Sequence, residues 1–275
     1  MRIFNIFLTA IVISLQTNAF SQTTDTLINV GTHNLHFRIT TGKGMPIVFE
    51  SGAGNDGSVW DEVIALLREQ IDVPLIAYDR AGFGKSEIDT IQVNISNEVK
   101  DLQTGLRKLD MGSEYFLVAH SLGGNYAMKF ISVAPSHVKG AVFIDVVSPY
   151  FMTEERATYT RNLFISNLEE IKNESLGFYY LVLNYENTSQ VMRDVSSTIK
   201  TPLTVIASDK TPFEGHERKL FLDGLKQFSM DRKNRKYIHV ENADHYVFYD
   251  HPELVVREII NLYNKVNKGK IVDKL

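Results

Sequence analysis

Two hydrophobic periods alternate along the chain. Short apolar runs at 46–50, 73–78, 115–120, 138–145, 202–207 and 237–240 read as strands bounded by glycine, proline or polar turns. Ahead of them, 33–40 alternates like an exposed strand. Between the runs the period changes to that of helices. Val59, Val63, Leu66 and Leu67 share one helical face behind a capping box, Ser58-Val-Trp-Asp61. Helices are also expected near 96–109, at 123–134, and after Asp250-His-Pro-Glu253. Strands alternating with helices predict an α/β fold, with a mostly parallel central sheet and helices on both faces.

The stretch at about 146–200 breaks that rhythm, with no convincing strand and helical periodicity at 156–171 and 176–183. It predicts a helical cap inserted over the sheet. Tyr150, Phe151, Tyr159, Phe164, Phe178, Tyr179, Tyr180 and Tyr185 crowd into it. Most of these aromatics are expected to glue the cap to the body, since buried aromatics are usually packing.

The first residues predict an export signal. Arg2 is a short positive region, an apolar run follows to Leu15, and Ala19 and Ser21 sit at −3 and −1 of a cut before Gln22. The run is too short for a stable membrane span, which needs ~20 apolar residues. The organisation expected is therefore a signal peptide at 1–21 and one domain at 22–275, secreted or periplasmic, with the cap insertion inside it. Cysteine is absent, which removes disulfides, thiolate metal sites, a lipid-modified cysteine and a cysteine nucleophile together. The histidines show no metal-like spacing, so no metal is expected. A net charge of −4 offers no basic footprint for nucleic acid. Three Asn-x-Ser sequons, at Asn94, Asn173 and Asn187, matter only in a eukaryotic secretory route.

The sharpest chemical signal is Ala119-His120-Ser121-Leu122-Gly123-Gly124, at a strand end and a helix start. A tight strand-to-helix turn lifts a serine hydroxyl clear of the sheet and needs small residues two before and two after it. Ala119 and Gly123 meet that need. Leu122 would offer its backbone N–H to an oxyanion, backed by the helix N-terminus.

In these residues the chain resembles the α/β-hydrolase superfamily, and the resemblance extends over almost all of it after the signal. Glu50-Ser-Gly-Ala-Gly54 is similar to the family's oxyanion loop, with Ser51-Gly52 where His-Gly is commoner. The alignment implies that Ala53 gives the second oxyanion N–H. Asp79-Arg-Ala-Gly-Phe-Gly-Lys-Ser86 resembles the family's Asp-x-x-Gly-x-Gly-x-Ser turn, read here as structural. Ala243-Asp-His-Tyr246 resembles its histidine loop, with Asp244 where glycine is usual. The resemblance implies Ser121 as nucleophile and His245 as general base, with no cofactor. His120 and the remaining histidines are read as structural. For the acid, Asp145 directly after the strand at 138–145 is favoured, and Asp209 in the loop after 202–207 is the alternative.

The function expected is serine hydrolysis of a small-molecule substrate, most simply a largely apolar carboxylic ester. Amide, peptide and C–C bond hydrolysis on the same fold, or ligand binding without turnover, are the alternatives. Gly52-Ala-Gly-Asn-Asp-Gly57 also fits the dinucleotide fingerprint, with Asp79 after the next strand. That reading is disfavoured, because a strand already precedes it and it leaves Ser121 and His245 unexplained. Nothing in the sequence addresses oligomeric state.

Overall fold

A computed structural model describes residues 23–210 and 212–267. The expected signal peptide and the cut before Gln22 lie outside the described residues. Eight strands form one sheet: β1 (Thr24–Asn29), β2 (Asn34–Thr40), β3 (Ile47–Glu50), β4 (Leu75–Tyr78), β5 (Tyr115–His120), β6 (Val138–Ile144), β7 (Leu203–Lys210) and β8 (Arg235–Asp244). Their spatial order is β1-β2-β4-β3-β5-β6-β7-β8. Among the described residues the β1–β2 and β2–β4 pairs are antiparallel and the other five are parallel.

The central strands read as unbroken apolar runs because both faces are covered. Along β5 the side chains alternate between two cores: Leu117 and Ala119 on one face, Phe116 and Val118 on the other. The first face is closed by α2 (Ile95–Leu109), α3 (Gly123–Val133) and α8 (Gly215–Met230), with Leu102, Phe130 and Phe228 in its core. The second is closed by α1 (Asp61–Gln70) and α10 (Pro252–Val266), with Leu67 and Ile259 in its core. Four helices lie between β6 and β7: α4 (Glu154–Ile165), α5 (Leu168–Glu174), α6 (Leu176–Leu183) and α7 (Tyr185–Ser196). A short helix, α9 (Val247–Asp250), precedes α10.

Several local expectations are corrected. The segment at 33–40 is not exposed: β1 pairs along one side of β2, β4 along part of the other, and Leu35, Phe37 and Ile39 are buried. β1 itself was not foreseen, because its mostly polar, solvated sequence carries little hydrophobic signal. Ser58 does not cap α1. Instead Asp56 accepts from Ser58 N and starts a 3-10 turn, Gly57–Trp60, and α1 begins after it. At α10, Pro252 fills the first helical position, and Asp250 turns back to accept from the Asp244 N–H at 2.6 Å.

Besides the core packing of Leu181 and Met192, one close backbone approach joins the α4–α7 segment to the body. Gly177 N–H donates to Gly82 O at 3.2 Å, and a Cβ on Gly177 would come within 2.7 Å of the Gly82 backbone. Gly82 has φ +78°, so its backbone requires glycine. Gly177→Ala should therefore lose about 1–3 kcal/mol to overpacking, offset by up to ~1 kcal/mol of helix propensity. Thermal denaturation should show a fall in Tm of a few degrees, roughly 2–4 °C per kcal/mol for a chain of this size. An unchanged Tm would mean that α6 can lift from the turn at no cost.

Candidate active site

The site lies at the carboxyl ends of β5, β6 and β8. β5 ends at His120, and Ser121 turns into the left-handed region at φ 52° before α3 begins. A serine there costs of order 1–3 kcal/mol, which the surrounding structure must impose. The restraints are visible. Ser121 N–H donates to Ile144 O at 3.0 Å, and Ser121 O accepts from Gly124 N–H at 3.0 Å. Gly123 has no room for a side chain, since a Cβ would sit 2.5 Å from Ser51 O and 2.7 Å from Glu50 O. The small residue is thus demanded by the end of β3 next door.

β6 ends in the same way. Asp145 has φ 47°, and its N–H donates to Ile206 O at 2.7 Å. His120 pairs with Ile144 in the β5–β6 register, so the two left-handed residues stand side by side one step beyond. His245 follows β8 directly and completes a chain of side chains. His245 Nδ1 is 2.6 Å from Asp145 Oδ2, and His245 Nε2 is 3.0 Å from Ser121 Oγ. A carboxylate only accepts, so Nδ1 carries the ring proton and the bare Nε2 accepts from the serine hydroxyl.

Asp145 is fully buried, and all of its partners are donors. Besides His245 they are Ser208 N–H, 2.9 Å from Oδ1, and Ser208 Oγ–H, 2.9 Å from Oδ2. Asp209, the alternative acid, faces elsewhere because successive strand residues point to opposite sides. Its Oδ1 is 3.1 Å from Arg218 Nη2 and 3.4 Å from His239 Nε2. The structure thus brings Ser121, His245 and Asp145 together and leaves Asp209 outside.

His120 is buried beneath this chain. Its Nε2–H donates to the His245 carbonyl at 3.1 Å, and its ring packs 4.5 Å from that of His245 and 5.1 Å from Phe248. Burial holds its pKa well below the usual histidine range, so it stays neutral. It supports the His245 loop from below. Tyr246 ties that loop to the next by donating to Asn55 Oδ1 at 3.1 Å.

The Ser51–Gly54 loop packs over Ser121: a Cβ on Gly52 would lie 3.3 Å from Ser121 Cβ. Ala53 and Gly54 also wall a cleft of about 570 Å³, whose other side carries Phe164, Ile171 and Phe178 together with Asn167, Glu170, Glu174 and Ser175 of the helical segment. The other dense aromatics mostly pack elsewhere. Phe151 is buried against Phe213 and Phe221, Tyr150 donates to Asp231, and Tyr159 is exposed.

Behind the loop lies a buried charged group that the motifs do not announce. Arg80 is 2% exposed and donates from Nη1 to Glu50 Oε1 at 2.7 Å and to Ser51 O, and from Nη2 to Gly52 O at 2.6 Å. Tyr78 donates to the other Glu50 oxygen. The guanidinium also lies 4.9 Å from the ring centre of Tyr126, whose hydroxyl donates to Glu98 at 3.0 Å. Burial opposes the charge on Arg80, but the charge and hydrogen bond of Glu50 offset it and the guanidinium stays protonated.

The chain belongs to the alpha/beta hydrolase family, whose model matches residues 47–258. It is 23% identical over 254 residues to an uncharacterized Bacillus subtilis protein, YqjL, covering 90% of this chain and 93% of that one. Over 108 residues it is 34% identical to the esterase Rv0045c of Mycobacterium tuberculosis, covering 38% of this chain and 34% of the esterase. Among solved structures, a thermophilic esterase from Thermogutta terrifontis superposes with a TM-score of 0.66 at 17% identity, covering 90% of this chain and all of that one. A bromoperoxidase from Bacillus anthracis gives 0.68 at 18%, covering 88% and 100%.

The Gly52–Gly57 loop that matched the dinucleotide fingerprint is committed differently. Gly57 N–H donates to Asp79 Oδ1 at 2.8 Å, while Asp79 Oδ2 accepts from Lys85 N–H at 2.8 Å and contacts His36 Nδ1 at 2.9 Å. The carboxylate that the disfavoured fingerprint would assign to a ribose thus pins two loops and a strand.

One carboxyl near Arg80 should set a pH dependence of stability. Burial pushes Glu98 from 4.5 up to about 7, against the pull of Arg80 and Tyr126. Between these values the folded chain keeps a proton that the unfolded chain has lost, so Glu98 makes stability fall as pH rises through that window. The full shift corresponds to about 3 kcal/mol. Glu98→Gln keeps an acceptor for Tyr126 and removes the titration. Denaturant unfolding at several pH values should show the variant gaining on the wild type between pH ~4.5 and ~7. A constant difference across that window would show that Glu98 titrates alike in both states.

Proposed function

We propose that the protein is a serine hydrolase of carboxylic esters with a small to medium, largely apolar acyl or alkoxy group. The observation that carries this reading is the Ser121–His245–Asp145 chain of hydrogen bonds, with each proton position fixed by its partner. Ser121 Oγ bonds to the ester carbonyl carbon while its proton passes to His245 Nε2. Asp145 stabilises the imidazolium that forms. The carbonyl oxygen takes up the negative charge and is held by the backbone N–H groups of Ala53 and Leu122. Collapse breaks the bond to the alkoxy oxygen, which leaves with the proton from Nε2. Water then repeats the sequence on the acyl-enzyme and releases the acid.

Support for an apolar acyl or alkoxy group comes from Phe164, Ile171 and Phe178, which face Ala53 across the cleft beside the polar Asn167, Glu170 and Glu174. In this reading the α4–α7 segment is a cap that selects the substrate. The sequence at 1–21 supports export, with a mature chain beginning near Gln22. Intact-mass analysis of secreted protein tests this, and a secreted chain that keeps Met1 would overturn it.

An organophosphonate should label Ser121, and Ser121→Ala should lose both the label and turnover of p-nitrophenyl butyrate. Asp145→Asn should lower kcat by at least ~10², because an amide removes the charge and can invert the histidine tautomer. Asp209→Asn should lower it by less than about tenfold. Both variants need circular dichroism to establish folding. Label retained in Ser121→Ala would identify another nucleophile. Near-normal turnover in folded Asp145→Asn would remove Asp145 from the chemistry.

A further inference from the structure

We propose that Arg80 is a positioning residue for the oxyanion site, which it sets by gripping the far side of the Gly52–Ala53 peptide. This inference rests on the hydrolase reading above and goes beyond it. The oxygen that Arg80 Nη2 contacts at 2.6 Å belongs to Gly52, and the nitrogen bonded to that same carbonyl carbon is that of Ala53. A trans peptide is planar, with its C=O and N–H pointing in opposite directions. There is no cis peptide among the described residues. Holding the Gly52 oxygen therefore turns the Ala53 N–H away from the guanidinium. Gly52 itself lies against Ser121, so the peptide that Arg80 orients borders the nucleophile.

The grip is stiff. Nη1 holds Glu50 and the preceding carbonyl, Ser51 O, so one planar cation fixes two successive peptides of the loop. Glu50 is itself held by Tyr78, and Arg80 is nearly inaccessible to solvent. A cation on a peptide oxygen also draws electron density from the amide, which makes its N–H a stronger donor. Neither effect would operate for a loop whose carbonyls faced water, because a water shell reorients as the oxyanion forms. Arg80 belongs to the Asp79–Ser86 turn, so that turn has a part in the chemistry although none of its side chains is in the Ser121–His245–Asp145 chain.

Two variants test the proposal. Glu50→Gln/Arg80→Met removes the buried pair together, so no orphan charge is left. Arg80→Lys keeps a cation beside Glu50, but its single ammonium cannot reproduce the planar fork to both carbonyls. Turnover of p-nitrophenyl butyrate and inhibition by butylboronic acid, whose serine adduct mimics the tetrahedral intermediate, are measured for each folded variant. The double variant should lose ~10² in kcat with KM within about threefold, and its affinity for the boronic acid should fall in parallel. Arg80→Lys should lose ~10-fold in kcat and serves alone if the double variant does not fold. The acidic limb of the pH–rate profile should stay in place, because the proton-transfer chain is untouched. Folded variants that keep kcat and boronic acid affinity within about threefold would overturn the role of Arg80 and leave the hydrolase reading standing. A wild-type protein that neither turns over esters nor takes the organophosphonate label would overturn both.

Discussion

The site depends on two neighbouring parallel strands that end in left-handed residues. Ser121 at φ 52° and Asp145 at φ 47° occupy equivalent places beyond β5 and β6. L-residues avoid this region unless the chain is forced into it. Here the forcing agents are ladder bonds that run past the strand ends, from Ser121 N–H to Ile144 O and from Asp145 N–H to Ile206 O. The sheet therefore holds both side chains above its edge. His245 can then bridge them from β8 because β5, β6, β7 and β8 are adjacent and parallel. A register slip in any of these pairs would separate Ser121 from His245.

The buried charges of the site meet partners of opposite polarity, although Arg80 Nε has no hydrogen-bond partner among the described residues. Asp145 meets three donors. Arg80 meets a carboxylate, two carbonyls and an aromatic face. Such arrangements contribute little net stability, since desolvation offsets most of the attraction. What they contribute is direction. Asp145 fixes the tautomer of His245, and Arg80 holds the Ser51 and Gly52 carbonyls, the second of which also accepts from Asn55 N–H at 3.4 Å. His120 shows the uncharged version of the same device, with burial holding it neutral and its single proton committed to the His245 carbonyl.

The alternation of apolar runs and helical stripes made the sheet legible, because fully buried strands leave an uninterrupted hydrophobic signal. β1 escaped notice since its sequence, Thr-Asp-Thr-Leu-Ile-Asn, lies on an exposed edge. Helices α7 and α8 were also missed, since both mix polar residues through their apolar stripes. At the site, Ser121 and His245 stood out through their flanking residues, whereas the two candidate acids could be separated only in three dimensions. The deciding feature is that Ser208 and Asp209 are adjacent on β7 and point to opposite sides. Ser208 takes the inward place and donates to Asp145, while Asp209 is turned toward Arg218 and His239. Arg80 was hidden for a related reason. Its neighbours Glu50, Ser51 and Gly52 are nearly thirty positions away in sequence, and a charged residue in a glycine-rich turn ordinarily reads as solvated.

That turn also connects the body to the helices that wall the cleft. Arg80 reaches one way to the Ser51–Gly52 carbonyls, while Gly82, two residues later, accepts from Gly177 at the start of α6. Phe178, the next residue on α6, lines the cleft opposite Ala53. The two walls of the cleft are thus referenced to one short segment of chain, Arg80-Ala-Gly82. A displacement of α6 that moved Phe178 would pull on the Gly82 carbonyl, two residues from the guanidinium that holds the opposite wall. Because a Cβ on either Gly82 or Gly177 would come within 2.7 Å of the other's backbone, this close approach ties the position of Phe178 to the turn that carries Arg80.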